Sequence, residues 1–70
     1  MAEMQTLATV ALLEDQPEHG LVRGQVGTIV ERLAAGVYEV EFSDGQGRAY
    51  AMLALRGEQL LELRSEPQVA

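Results

Sequence analysis

The plainest pattern in the chain is the alternation Val37-Tyr38-Glu39-Val40-Glu41-Phe42. Successive side chains of a strand point to opposite faces. Tyr38, Val40 and Phe42 therefore share one face, and Glu39 and Glu41 share the other with Val37. A slip of one residue would bury two carboxylates, so the orientation of this strand is strongly fixed. Residues 26–33 are rich in β-branched side chains and predict a second strand. Gly27 inside it predicts a bulge or a closely passing backbone. Ala34-Ala35-Gly36 makes a short turn between these two strands. Ser43-Asp44-Gly45-Gln46-Gly47 makes another, with glycines free to take φ > 0. Residues 48–54 then return as the second arm of a hairpin, residues 55–59 form a one-turn connector, and residues 60–63 close the chain as a short strand.

Upstream, residues 7–13 are apolar and end at Glu14-Asp15, a length that suits a strand. Between them and residue 26 lies a long loop, broken by Pro17, Gly20 and Gly24 and anchored by Leu21-Val22. Four to five short strands with a long first loop predict an all-β fold, a small barrel. The competing arrangement makes residues 4–13 and 49–63 helical. The domain spans residues 7–63, between a flexible N-terminus (1–6) and a disordered C-terminal tail (64–70).

Composition narrows what such a barrel can do. Seventy residues allow one domain. A domain this small buries only about 60% of the surface its unfolded chain exposes, so its margin of stability is thin. Cysteine is absent, so neither a disulfide nor a thiolate site can reinforce it. That absence favours the cytoplasm over an oxidising compartment. Residues 1–16 lack the positive n-region and small-residue cleavage site of a signal peptide, and no apolar run approaches a membrane span. The protein is expected to be soluble. Net charge is −6, lysine is absent, and the five basic residues are Arg23, Arg32, Arg48, Arg56 and Arg64. Such a chain lacks the electrostatic attraction that supplies most nucleic-acid affinity.

Several motifs together resemble a known family. They are Val10-Ala11-Leu12; Glu14-Asp15, Pro17-Glu18-His19-Gly20-Leu21; Arg23-Gly24 and Val26-Gly27-Thr28-Ile29-Val30; Tyr38-Glu39-Val40-Glu41-Phe42; and Gly47 with Tyr50-Ala51. In combination they resemble a family of small, uncharacterised bacterial proteins, catalogued as a domain of unknown function. The resemblance runs from about residue 9 to residue 63. The stretch from Gly24 through Gly27 to Val30 is also similar to SH3-like barrels of the KOW type and to a small stromal photosystem subunit. That second likeness covers about a third of the chain and implies the fold, a small SH3-like barrel of four to five strands with a long first loop, rather than a function.

Candidate chemistry is sparse. His19 is the single histidine, and Glu14, Asp15 and Glu18 stand near it without the spacing of a zinc or calcium site. A solvated loop, with His19 buttressing the turn at Gly20, accounts for them. Thr28 and Ser43 have no second histidine or elbow motif to activate them. Gly45 and Gly47 are not followed by lysine, so they make a hairpin turn and not a phosphate cradle. No catalytic residue, cofactor or metal is expected. Tyr38, Phe42 and Tyr50 are the only aromatics, too few for a polyproline groove or a base-stacking surface.

What remains is a surface for a protein. Tyr50, Met52, Leu55, Leu60 and Leu61 are the candidate interface, since neighbours such as Leu60 and Leu61 cannot both face inward. The alternative is that they close the barrel's end. Gly24, Gly27, Tyr38, Val40 and Phe42 are the structural residues. The expected function is a non-enzymatic protein-interaction module, with a partner protein or a second copy. The other readings are a KOW-like nucleic-acid-associated module and a small subunit of a redox or photosynthetic complex.

Overall fold

A computed structural model describes residues 3–67. The strands are β1 (Thr9–Leu12), β2 (Val26–Ala34), β3 (Val37–Ser43), β4 (Ala49–Arg56) and β5 (Leu60–Glu62). They form one antiparallel sheet in the order β4-β3-β2-β1-β5. The chain is all-β, a small SH3-like barrel, and among the described residues no helix is long and apolar enough to cross a membrane. The 3-10 turns Pro17–His19 and Gly57–Gln59 are its only helical pieces among those residues.

The inward positions of every strand meet in one core. Val10 and Leu12 come from β1, Ile29 from β2, Tyr38, Val40 and Phe42 from β3, Leu53 and Leu55 from β4, and Leu60 from β5. Gly27 is the inward position between outward Val26 and Thr28, and it pairs with Val10 on one side and Phe42 on the other. The missing side chain is what lets β3 cross there. Beyond that point β2 curls. Its register with β3 steps from Ile29↔Val40 to Glu31↔Glu39, so Val30 is the extra residue of a bulge, and a second step leaves Leu33 unpaired.

The long loop is tied down at several points. Gln16 and Leu21 exchange backbone hydrogen bonds of 2.8 and 3.2 Å around the Pro17–His19 turn, and Leu21 is buried in the core. Of the anchor pair Leu21-Val22, only Leu21 points inward; Val22 is exposed. Gly24 takes φ +93°, which lets its N–H donate to the Leu12 carbonyl at 2.8 Å while Leu12 donates to Gln25 at 2.9 Å. A side chain at that φ would be strained.

Sequence and structure differ at several boundaries: β1 is shorter than the expected 7–13, β2 runs on into Ala34, and β5 ends at Glu62. β4 extends to Arg56, two residues past the expected end, and the connector shrinks to Gly57–Gln59. Of the segment expected to be a flexible N-terminus, residues 3–6 lie on the barrel; residues 1–2 are outside the described ones. Met4 packs against the core, its N–H donates to the Tyr38 hydroxyl at 3.1 Å, and that hydroxyl donates to the Glu3 carboxylate. Glu3 also pairs with Arg32 at 3.2 Å. The Tyr38 bond holds the Glu3 carboxyl below its usual range and the Tyr38 hydroxyl above its own. In the expected tail, residues 64–67 are exposed, with Arg64 pairing Glu62 at 3.8 Å, and residues 68–70 are outside the described ones.

Residues 5–8 close a turn through an Ala8 N–H to Gln5 carbonyl bond of 3.0 Å. Its third residue is Leu7, at φ +75° and 74% exposed, where such turns favour glycine. Glycine there would recover about 1–2 kcal/mol of left-handed strain, against about 0.5–1 kcal/mol of extra unfolded-state freedom. Leu7→Gly should therefore stabilise the domain by up to about 1 kcal/mol, read as a higher urea midpoint, while Leu7→Ala gains nothing. A lower midpoint for Leu7→Gly would mean that the leucine side chain contributes packing.

Candidate functional site

The outward positions of the sheet follow from the pairing register. One row runs Leu61, Ala11, Val26, since Ala11 pairs with Leu61 on one side and Val26 on the other. Tyr50 continues it. The register steps from Phe42↔Ala51 to Ser43↔Ala49, so Tyr50 is the extra residue of a bulge in β4. Its hydroxyl accepts a hydrogen bond from Gln25 Nε2 at 3.0 Å, which holds the ring beside the start of β2. The next row runs Thr9, Thr28, Glu41, Met52, with the Leu63 N–H donating to the Thr9 carbonyl.

The five candidate interface residues separate on this frame. Tyr50, Met52 and Leu61 are 50%, 52% and 51% exposed and stand on the outer face. Leu55 and Leu60 do not: both are buried in the core, so they close the barrel and leave the interface set. Leu55 shares the inward parity of Leu53 because β4 continues through it. Leu60 follows the 3-10 turn with its side chain inward, which turns Leu61 out. Val26 and Leu63 join the exposed apolar set and were not singled out beforehand. Strand parity could have found both, since Val26 alternates with Ile29's face and Leu63 matches Leu61.

The outer face also carries a row of carboxylates. Glu31 pairs directly with Glu39, and Glu39 pairs in turn with Ala54. Glu41 is two residues along on the same face. Like charges directly opposite on a sheet destabilise it. Among the described residues the ion pairs are Arg32–Glu3, Arg48–Asp44, Arg56–Glu58 and Arg64–Glu62, so none reaches this row. The facing of Glu31 and Glu39 depends on the Val30 bulge, which composition and alternation do not reveal.

Chemistry-bearing groups elsewhere are scattered. His19 sits on the Pro17–His19 turn, Thr28 on the outer face and Ser43 at the end of β3. Glu14 accepts from Gln59 Nε2 at 2.8 Å and Asp15 accepts the Arg23 N–H at 2.8 Å, so both serve the loop. Asp44 accepts the N–H groups of Gln46 and Arg48 at 2.8 and 3.0 Å, organising the β3–β4 turn, and these bonds lower its carboxyl pKa. A recess of ≈ 460 Å³ opens beside Met4, Tyr38 and Gly57. Its charges are matched internally: Glu3 with Arg32 and Tyr38, and Arg56 with Glu58 at 2.6 Å.

No curated protein and no solved structure matches the chain. A family model matches residues 6–62, nearly the whole barrel including the exposed rows, and the chain belongs to that family, the domain of unknown function DUF4926.

Proposed function

We propose that this domain is a non-enzymatic protein-interaction module, a small bacterial accessory protein that works in the cytoplasm by docking on a partner protein. The observation that carries this reading is the set of half-exposed apolar side chains Tyr50, Val26, Leu61 and Met52 on the outer face, with the small, buried Ala11 between Val26 and Leu61. A sheet face with one side in the core ordinarily alternates to polar residues outside. Here Tyr50, Val26, Leu61 and Met52 put large apolar side chains on part of the outside, in a patch with acidic neighbours, the composition of an association surface. The KOW-like reading would need Arg23, Arg32 and Arg48 to present free charge. Arg32 and Arg48 are each spent on a carboxylate, Glu3 and Asp44.

Met52→Thr with Leu61→Asp tests the reading, because both positions are half exposed, threonine adds no like charge opposite Glu41, and the fold should tolerate both. Affinity capture from native lysate should retain a stoichiometric protein on the parent chain. The double variant should lose it at least tenfold while melting within a few degrees of the parent. Sedimentation at several concentrations and two salt levels separates self-association. Two copies at −6 each repel, so a homodimer would be apolar and would strengthen with salt. A strictly monomeric chain that retains nothing overturns the reading.

A further inference from the structure

β4 is an edge strand: it pairs with β3 on one side, and the sheet ends on the other. From Ala51 to Arg56 it keeps unbroken register with Phe42 to Val37, so among the described residues its outer backbone groups form a regular unpaired row. Edges are ordinarily blunted by charge, proline or brevity. β4 has eight residues and no charged side chain or proline between Arg48 and Arg56. The opposite edge, β5, has three residues and offers no comparable row.

The charge beside this edge selects its occupant. The outward row Glu31, Glu39, Ala54 ends at β4 on a methyl group. A strand added to β4 would lie about 4.8 Å from Ala54 and about 10 Å from the Glu39 backbone. A long cationic side chain opposite Ala54 could lie across the alanine and meet the Glu39 carboxylate, relieving its repulsion with Glu31. The two arginines that bound the edge do not oppose this, because Arg48 is neutralised by Asp44 and Arg56 by Glu58. A second copy of β4 is a poor occupant, since it brings no cation between its own Arg48 and Arg56.

We propose that the outer edge of β4, along residues 51–56, accepts an extended basic segment of a partner protein as a sixth strand, with a lysine or arginine opposite Ala54 bound by Glu39 and Glu31. The proposal rests on the interaction reading above and names its mode: backbone hydrogen bonds hold the segment, and the carboxylate pair reads its charge.

The test uses three blocked seven-residue peptides on the full chain. One alternates lysine with valine, one alternates glutamate with valine, and one repeats the lysine peptide with alternate backbone nitrogens methylated. Amide chemical shifts of the protein are followed during titration. The lysine peptide should shift the amides of residues 51–56 most, and its binding should weaken with salt. It should bind at least fivefold more weakly to the Glu31→Gln, Glu39→Gln variant, which keeps the fold. The glutamate peptide and the methylated peptide should bind at least tenfold more weakly than the lysine peptide. Equal binding of the methylated peptide, or shifts centred away from β4, would overturn the proposal. So would concentration-dependent shifts at β4 without peptide, which would assign the edge to a second copy. Failure here with partner capture still sensitive to Met52→Thr and Leu61→Asp would remove the edge mechanism and leave the interaction module standing.

Discussion

Phe42→Ala is expected to strip the domain of a large part of its stability. Phe42 is completely buried, and it belongs to the core cluster to which all five strands contribute. Truncating a buried phenylalanine costs about 3–5 kcal/mol, the lost transfer energy plus the cavity left behind. At about 0.05–0.15 kcal/mol per residue, a chain of this length holds roughly 4–10 kcal/mol in all. No disulfide is present to absorb the loss. Urea unfolding followed by far-ultraviolet circular dichroism should show a greatly lowered midpoint or no native baseline. Glu41→Gln, one residue away on the outer face, should move stability by well under about 1 kcal/mol. If Phe42→Ala cost no more than Glu41→Gln, the inward face of β3 would have been misassigned, and the barrel with it.

The β3 alternation was legible because a two-residue period leaves no choice of face once two carboxylates lie on one of them. Leu60 and Leu61 were half legible: adjacency demands opposite faces, but parity does not say which is which. The 3-10 turn at Gly57–Gln59 decides that, through the Leu13 N–H bond to the Gln59 carbonyl and the pairing of Leu12 with Leu60. Leu55 was open between interface and barrel closure, because the pattern puts it in a connector over residues 55–59; two more residues of strand pairing, Tyr38↔Leu55 and Val37↔Arg56, put it inside. The attachment of the N-terminal segment left no local signal. It depends on a tyrosine hydroxyl meeting Glu3 from 35 positions away. The same holds for the Glu31–Glu39 pair, which exists only because one extra residue at Val30 shifts the register. Local pattern thus revealed the core strands, while bulges and distant polar contacts shaped the outer face on which function is proposed.

Gly27→Val should destabilise the domain by about 1–3 kcal/mol or more, through overpacking and not through lost backbone freedom. A Cβ on Gly27 would lie 2.8 Å from Val40 Cγ1, 2.9 Å from the Glu41 carbonyl oxygen and 2.9 Å from Phe42 Cδ1. Two of these atoms belong to fully buried core side chains and the third to the β3 backbone, so none is a flexible tip that can swing away. Gly27 is not among the positive-φ glycines, so its dihedral angles do not themselves demand glycine. That separates two explanations by sign. Were Gly27 only a weak strand residue, Gly27→Ala would raise stability by about 0.5–1 kcal/mol; with the crossing this tight, Gly27→Ala should already lower it. Pairing Gly27→Ala with Phe42→Leu sharpens the test, since the smaller side chain vacates one of the three contacts. The double variant should then cost less than the sum of the singles by more than about 0.5 kcal/mol, the scale of coupling between touching residues. Relief should stay partial, because the Glu41 carbonyl cannot withdraw without breaking the β2–β3 ladder. Strict additivity in thermal or urea melts would show that Phe42 does not occupy the space Gly27 leaves open.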